Sequence, residues 1–289
     1  MGRVTPLAAA ALLVLAVTAC GERNEPTGSA AGLYPVTVAS PSGGKALVVR
    51  TPVSRIAVIA PDVQQILVDL GAGKQIAGTP VARNGSLRVA ELQGLKPDLI
   101  VASSTTGDQL IAQAARAVPN ALVYRAPADS IRGVEGTITE LGLITGRPGD
   151  ASRLVRQIEA KRAVVAKRLA GSPGVSVFVD RGFFTTVSDQ SLVGDMLREV
   201  HARNVAGDAA QIGPIDPEQL AQLDPAWYLA TSDSGTTLAA LRKNPRTRKL
   251  RAVRAGHFAT VDATLLEPGP TIGDGLLVLA KRLHPNAFR

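Results

Sequence analysis

Six short segments hold most of the side chains in this 289-residue sequence that could grip a small molecule: residues 60–62, 79–84, 103–106, 180–186, 231–236 and 265–268. They are rich in hydroxyls and include Asp62, Arg83, Ser104, Thr105, Arg181, Phe183 and Phe184. A guanidinium presents a planar fork of donors that matches carboxylate or catecholate oxygens two at a time. Arg83 and Arg181 are therefore candidates to hold an anion. Phe183 and Phe184 could cover an apolar ligand face, or one of them could pack in a core. Such a set binds, and it does not by itself catalyse.

Catalytic patterns are thin, and the chain is not expected to be an enzyme. No Gly-x-Ser-x-Gly elbow is present. The stretch LGAGKQ resembles a phosphate loop only in part, because the earlier glycine is missing and Gln75 follows Lys74 where Ser or Thr belongs. Bare zinc or manganese needs several converging His and carboxylates. His201, His257 and His284 have no ligand-like spacing, and His284 is expected inside the last helix. No metal site and no cofactor are expected. A hydrolase with scattered Ser, Asp and His, and a sensor that signals through a partner, remain as alternatives.

The N-terminus carries a different chemistry. Arg3 precedes an apolar stretch at 7–17, too short for a permanent membrane span, which runs into Val17-Thr18-Ala19-Cys20. Small residues before a cysteine at such a place resemble the lipobox of bacterial lipoproteins, where the thiol is lipidated and becomes the mature N-terminus. Cys20 is the chain's single cysteine, so no internal disulfide is possible. Residues 1–19 are expected to be a lipoprotein signal peptide and 20–33 a lipidated, flexible tether. The folded body would then sit outside the cytoplasm, anchored to the membrane's outer face.

The net charge is +8, with a sequence pI near 10.1. Aromatic residues make up only 3% of the chain, too few for base stacking. The cations read as a solvated surface, including the basic run at 242–249, and no nucleic-acid partner is expected. An apolar fraction of 45% suits a globular core.

The elements that must position the candidate residues follow from short apolar runs. Residues 34–40 and 45–50 flank Pro41-Ser42-Gly43-Gly44 and predict a hairpin. RIAVIA, QIAG, DLIVASS and ALVYR read as strands. Between them, DVQQILVDLGAG, VAELQGL and DQLIAQAARAV read as helices, with Asp62 as a cap and Gly71 as a stop. Strands alternating with helices imply a mostly parallel sheet, whose ligand loops follow the carboxyl ends of the strands. From 150 to 170, Leu154, Ile158, Val165 and Leu169 keep one face of a long helix, opposite Arg153, Arg156, Lys161, Arg162 and Arg168.

The alternation then restarts. VSVFVD, NVAG and AWYLATS read as strands, with SLVGDMLREV and PEQLAQL as helices. Trp227 and Tyr228 fall inside a strand and are expected in the sheet rather than at the ligand. LQGLKPDLIVASS at 92–104 and LAQLDPAWYLATS at 220–232 are related by an offset of 128 positions. KQIAG and RNVAG echo one another at an offset of 129. The predicted fold is α/β: two Rossmann-like lobes, at 34–146 and 172–289, joined by one long interlobe helix at 147–171.

With these motifs in order, the sequence resembles the substrate-binding proteins of bacterial ABC importers for iron–siderophore complexes, haem and cobalamin. The resemblance runs from Tyr34 to Pro285. It rests on RIAVIAPDVQQILVDLGAGKQIAG, LKPDLIVAS, DMLREVHARNVAG and PIDPEQLAQLDP, with the lipobox and interlobe helix in matching order. It implies a bilobal fold, a shallow cleft, limited hinge bending, and a permease with its ATPase subunit as partners. The ligand would be a metal chelate, a ferric siderophore before cobalamin, because few aromatics are present to stack on a corrin or porphyrin. Arg83 and Arg181 would face an anionic chelate. A related branch that imports bare zinc or manganese is the rival. In this family an acidic residue on each lobe docks on the permease. The resemblance assigns Glu218 in the C-terminal lobe; in the N-terminal lobe alignment gives Ala90, with Glu91 beside it.

Overall fold

Short β-branched runs set between turn signals become strands, and they arrange themselves twice in one pattern. The computed structural model describes residues 34–38, 46–207 and 214–289. Cys20, the tether and the turn at 41–44 lie outside them. Strands β1 (Val36–Val38) and β2 (Leu47–Val49) pair antiparallel, with Val36 opposite Val49. The first parallel sheet holds β3 (Ile56–Val58), β4 (Ile76–Gly78), β5 (Leu99–Ser103) and β6 (Leu122–Ala126) in the order β4-β3-β5-β6. Helices α1 (Gln64–Asp69), α2 (Val89–Leu95) and α3 (Asp108–Ala117) make its crossovers, and α4 (Ile131–Ile144) follows it.

After α5 (Pro148–Leu169) the second sheet repeats the arrangement. It holds β7 (Val175–Asp180), β8 (Ala202–Asn204), β9 (Trp227–Thr231) and β10 (Phe258–Val261) in the order β8-β7-β9-β10. Its helices are α6 (Leu192–Glu199), α7 (Pro217–Leu223), α8 (Leu238–Lys243), α9 (Arg251–Ala255) and α10 (Ile272–Leu283). The repeated thirteen residues are thus α2–β5 in one lobe and α7–β9 in the other. Both helices end on a left-handed residue, Lys96 at φ 45° and Asp224 at φ 36°. Each stands before a proline, which bars the right-handed helical region to its predecessor, so the chain turns out of the helix at once.

Each sheet is covered on both faces, so its strands are apolar on both faces. In β5, Leu99 and Val101 enter one cluster while Ile100 and Ala102 enter another. In β7, Val177 and Val179 face one side and Phe178 the other. The inner faces of both sheets belong to a single apolar cluster that passes through α4, α5 and α10.

Helix α5 starts at Pro148, and Asp150 sits inside its first turn. Pro at the first helical position gives up a donor that would have no partner there. Asp150 near the start, and Lys167 and Arg168 near the end, oppose the helix dipole favourably. Ala151, Leu154, Ile158, Val165 and Leu169 are buried. The expected charged face is only partly solvated. Arg162 binds Glu135 of α4 at 3.1 Å and Glu199 of α6 at 3.0 Å, and Lys161 binds Asp274 of α10 at 2.6 Å. Asp195 of α6 accepts the backbone N–H of Ile131, at the start of α4, at 2.9 Å.

Two expectations shift. The edge strand β8 ends at Asn204, where NVAG was expected to begin one. The buried Asn204 side-chain amide donates to Thr186 Oγ1 at 2.9 Å and the Val187 carbonyl at 2.8 Å, and the backbone pairing with β7 closes on the Val205 N–H, 2.8 Å from the Val177 carbonyl. Asp62 caps no helix; it lies in a 3-10 turn at Pro61–Val63 and makes no capping bond.

Helix α5 is seated on glycine from both lobes. A Cβ on Gly142 of α4 would overlap Ala151 Cβ, and one on Gly273 of α10 would lie 2.9 Å from Lys161 Cδ and 3.3 Å from Ile158 Cα. Gly142→Ala should therefore lower stability by about 1–3 kcal/mol, despite its better helix propensity. Adding Ala151→Gly should return part of the loss. Denaturant melts of the three variants check this; a Gly142→Ala chain as stable as its parent would show that α4 and α5 separate without cost.

Candidate functional site

All strands within each four-stranded sheet run parallel, so the loops after their carboxyl ends gather on one side. Between the lobes lies a cavity of about 350 Å³, lined by Asp62, Ser104 and Thr105 from one side and by Arg181, Ser191 and Glu267 from the other. Two compartments adjoin it. One of about 420 Å³ has Asp69 and Thr264 on its walls, and one of about 560 Å³ has Arg83 and Gly85. Asp62 lines all three, so they form one groove with this carboxylate at its centre.

On the N-terminal side the turn after β5 is tied down from two directions. Asp62 accepts from Thr105 Oγ1 at 3.2 Å, and Thr105 Oγ1 lies 2.8 Å from Ser103 Oγ. Ser104 Oγ accepts the backbone N–H of Ala128 at 3.3 Å. Arg125, on β6, donates to the carbonyls of Ser103, Ser104 and Thr106 at 3.2 to 3.3 Å and to Asp108 at 2.8 Å. A guanidinium with five donors suits this work, because one rigid fork holds several carbonyls together. Sequence reasoning did not single out Arg125.

On the C-terminal side the organising residue is Asp180, the last of β7 and 1% exposed. Its carboxylate accepts from the Gly182 N–H at 2.8 Å, from Tyr228 Oη at 2.7 Å and from Thr236 Oγ1 at 2.7 Å. These three donors satisfy the buried carboxylate. Burial first, and the Asp180 charge second, push the Tyr228 phenol far up, so it stays a donor. The network holds the turn at 181–186 against the loop at 231–236. Gly182, Phe183 and Phe184 all have positive φ there, at 112°, 51° and 61°. Phe183 is 89% exposed, while Phe184 packs against the cluster around Phe178. Neither ring lines the three compartments.

Arg181 reaches the groove, but its guanidinium is 3.1 Å from Glu267, a residue that sequence reasoning left unweighed within the 265–268 loop. Arg83 is exposed and has no ion pair among the described residues. The described residues contain no group of three or more His, Cys, Asp or Glu placed to hold a metal. Each histidine ring has its own local partner, His201 the Ser172 carbonyl at 3.3 Å. His257 stacks on Trp227 at 4.8 Å. His284 ends α10 instead of lying within it, and its buried ring bonds the Val200 carbonyl at 2.8 Å.

Residues 81–265 match the family of periplasmic binding proteins. The chain belongs to that family. It is 26% identical over 310 residues to YvrC of Bacillus subtilis strain 168, an uncharacterised ABC transporter substrate-binding lipoprotein, covering 97% of each chain. CeuE of Helicobacter pylori, solved with Ni(II) bound, superposes with a TM-score of 0.75 at 18% identity, over 88% of this chain and 90% of that one. BtuF of Vibrio cholerae, a periplasmic vitamin B12 binding protein, superposes with a TM-score of 0.70 at 15% identity, over 82% and 99%. Identities this low carry the fold and leave the ligand open.

In this periplasmic binding protein, Glu218 and Glu91 both lie in the first turn of short matching helices, α7 and α2. They differ in surroundings. Glu218 is exposed, its backbone N–H held by Asp216 at 2.7 Å, and it has no ion pair among the described residues. Glu91 is bound to Arg88 at 2.8 Å, and Ala90 occupies the position that matches Glu218.

Tyr228→Phe keeps the edge-on packing with Phe178, whose ring centroid is 5.3 Å away, and removes one donor from Asp180. The binding protein should lose about 1–3 kcal/mol, the cost of an under-satisfied buried group. Urea unfolding checks this, and an unchanged midpoint would mean that the 181–186 turn does not depend on the bond.

Proposed function

We propose that the chain is the lipid-anchored, extracytoplasmic substrate-binding component of an ABC importer, and that it captures a metal chelate in the interlobe groove. A ferric siderophore is the first choice and cobalamin the second. The observation that carries the reading is the groove itself, walled by hydroxyls, carboxylates and guanidinium groups from both lobes. It offers hydrogen bonds to a ligand's outer atoms, which suits an ion that arrives already caged. The curated relative's description as a substrate-binding lipoprotein, and Cys20 behind its run of small residues, support the anchor. No helix among the described residues is long and apolar enough to cross a membrane.

The mechanism is capture and presentation. Asp62, Ser104, Thr105 and Arg181 contact the ligand in the central compartment, and Arg83 contacts it in the outer one. Phe183, held outward by its left-handed backbone, closes over the ligand's exposed edge, while Phe184 supports that turn from below. Helix α5 keeps lobe movement small. Glu218 docks on a basic pocket of the permease, and Glu91 docks beside Arg88 on the other lobe. Charge complementarity of this kind sets orientation and association rate. ATP is hydrolysed by a separate subunit, and this chain carries out no chemistry.

A thermal-shift panel on the purified full-length chain tests the ligand class, with ferric siderophores, ferric citrate, cobalamin, haem, zinc and manganese. A ligand specific for the folded state, at about 100 times its Kd, adds about 2.7 kcal/mol, or on the order of 5 °C for a protein of this size. A shift with zinc or manganese alone would move the protein to bare-metal import, and no shift at all would revive the sensor or hydrolase reading. Docking is tested separately. Glu218→Lys should slow uptake by the reconstituted importer about tenfold while leaving ligand Kd unchanged. Equal uptake would remove Glu218 from the interface.

A further inference from the structure

The charge inside the groove narrows what it accepts. Four carboxylates line its compartments, Asp62, Asp69, Asp129 and Glu267, against two cations, Arg83 and Arg181. One of the cations is already engaged: Arg181 lies 3.1 Å from Glu267. A second carboxylate is within its field, since the exposed Asp233 is pushed down mainly by a hydrogen bond from Thr231 and to a lesser degree by the Arg181 charge. Asp62 has only the Thr105 hydroxyl, and neither Asp62 nor Asp129 has an ion pair among the described residues. In the central compartment, carboxylates therefore outnumber cations, and the cation present is compensated. Field lines between two low-dielectric walls concentrate this excess on whatever enters.

We infer that the groove selects chelates of zero or positive net charge and rejects strongly anionic ones, with Asp62 and Asp129 as the residues that set the preference. The inference rests on the metal-chelate reading above and deepens it. A ferric ion held by three hydroxamates is neutral at its core, and a pendant ammonium makes the whole complex a monocation. A ferric ion held by three catecholates carries three negative charges. An ammonium in the central compartment would meet Asp62 or Asp129 in a charge-assisted hydrogen bond. A tricatecholate would meet the same carboxylates as repulsion, with Arg181 already occupied.

The test is titration calorimetry of the full-length chain with three ferric probes: a trihydroxamate bearing a free ammonium, the same compound N-acetylated, and a tricatecholate. The ammonium form should bind several-fold more tightly than its acetylated twin, and the difference should shrink at high salt. The tricatecholate should bind at least about a hundredfold more weakly, a difference of about 2.7 kcal/mol. Asp62→Asn and Asp129→Asn should each reduce the gap between the ammonium and acetylated forms. Glu267→Gln, which frees Arg181, should strengthen tricatecholate binding. Tricatecholate binding as tight as that of the trihydroxamates would overturn the charge inference and leave the chelate reading standing. An ammonium form no tighter than the acetylated one would likewise overturn it. Failure of all three probes to bind would overturn the charge inference together with the ferric-siderophore choice, and would leave cobalamin as the chelate to test.

Discussion

Helix α5 packs its buried stripe against α4 of one lobe and α10 of the other, and the geometry of the groove depends on that double contact. A connection made of two or three extended strands can flex at each crossing. A single helix seated on glycines from both sides cannot slide without opening its own interface. Because the inner faces of both sheets join the same apolar cluster through this helix, the lobes share a core. Arg162, shared between Glu135 and Glu199, adds a polar tie across the back of the molecule. The parallel sheets are thus fixed with their ligand loops facing a common space.

Within that frame the two lobes are duplicates in strand order and opposites in detail. The N-terminal wall is braced by a cation, Arg125, which gathers the carbonyls of the 103–106 turn. The C-terminal wall is braced by an anion, Asp180, which gathers donors from three segments. Both devices do the same physical work, holding a loop at the end of a strand without relying on the ligand. A scaffold of this kind leaves the loop surfaces free to vary, and that is where the ligand is chosen. The shared architecture with proteins described as binding nickel or vitamin B12 fits this division between frame and surface.

The architecture was legible because it is written in local patterns. The repeated LKPDLIVASS and LDPAWYLATS, the apolar runs of the strands and the stripe of α5 each fall within a few consecutive residues. The helix–proline–strand joint is local as well, and both copies adopt it. The site was legible only as a set of loops. That Asp62 would face the groove instead of capping α1 depends on Thr105, 43 positions away. That Arg181 would be paired depends on Glu267, 86 positions away. Asp180 and Tyr228 are 48 apart, one at the end of a strand and one inside another. Contacts across such separations leave no periodicity in one sequence. The two phenylalanines divide for a similar reason: adjacent left-handed residues send the Phe183 ring out to solvent and the Phe184 ring against the core, and backbone sign cannot be read from a Phe-Phe pair.

Anomalous diffraction at the metal edge, from crystals of the chain saturated with a chelate that binds it, tests the central claim most directly. One strong metal peak is expected in the interlobe groove, between the turn at 103–106 and the Arg181–Glu267 pair, with ligand atoms in reach of Asp62. A metal peak on the outer face of either lobe, or one coordinated directly by protein side chains, would contradict it.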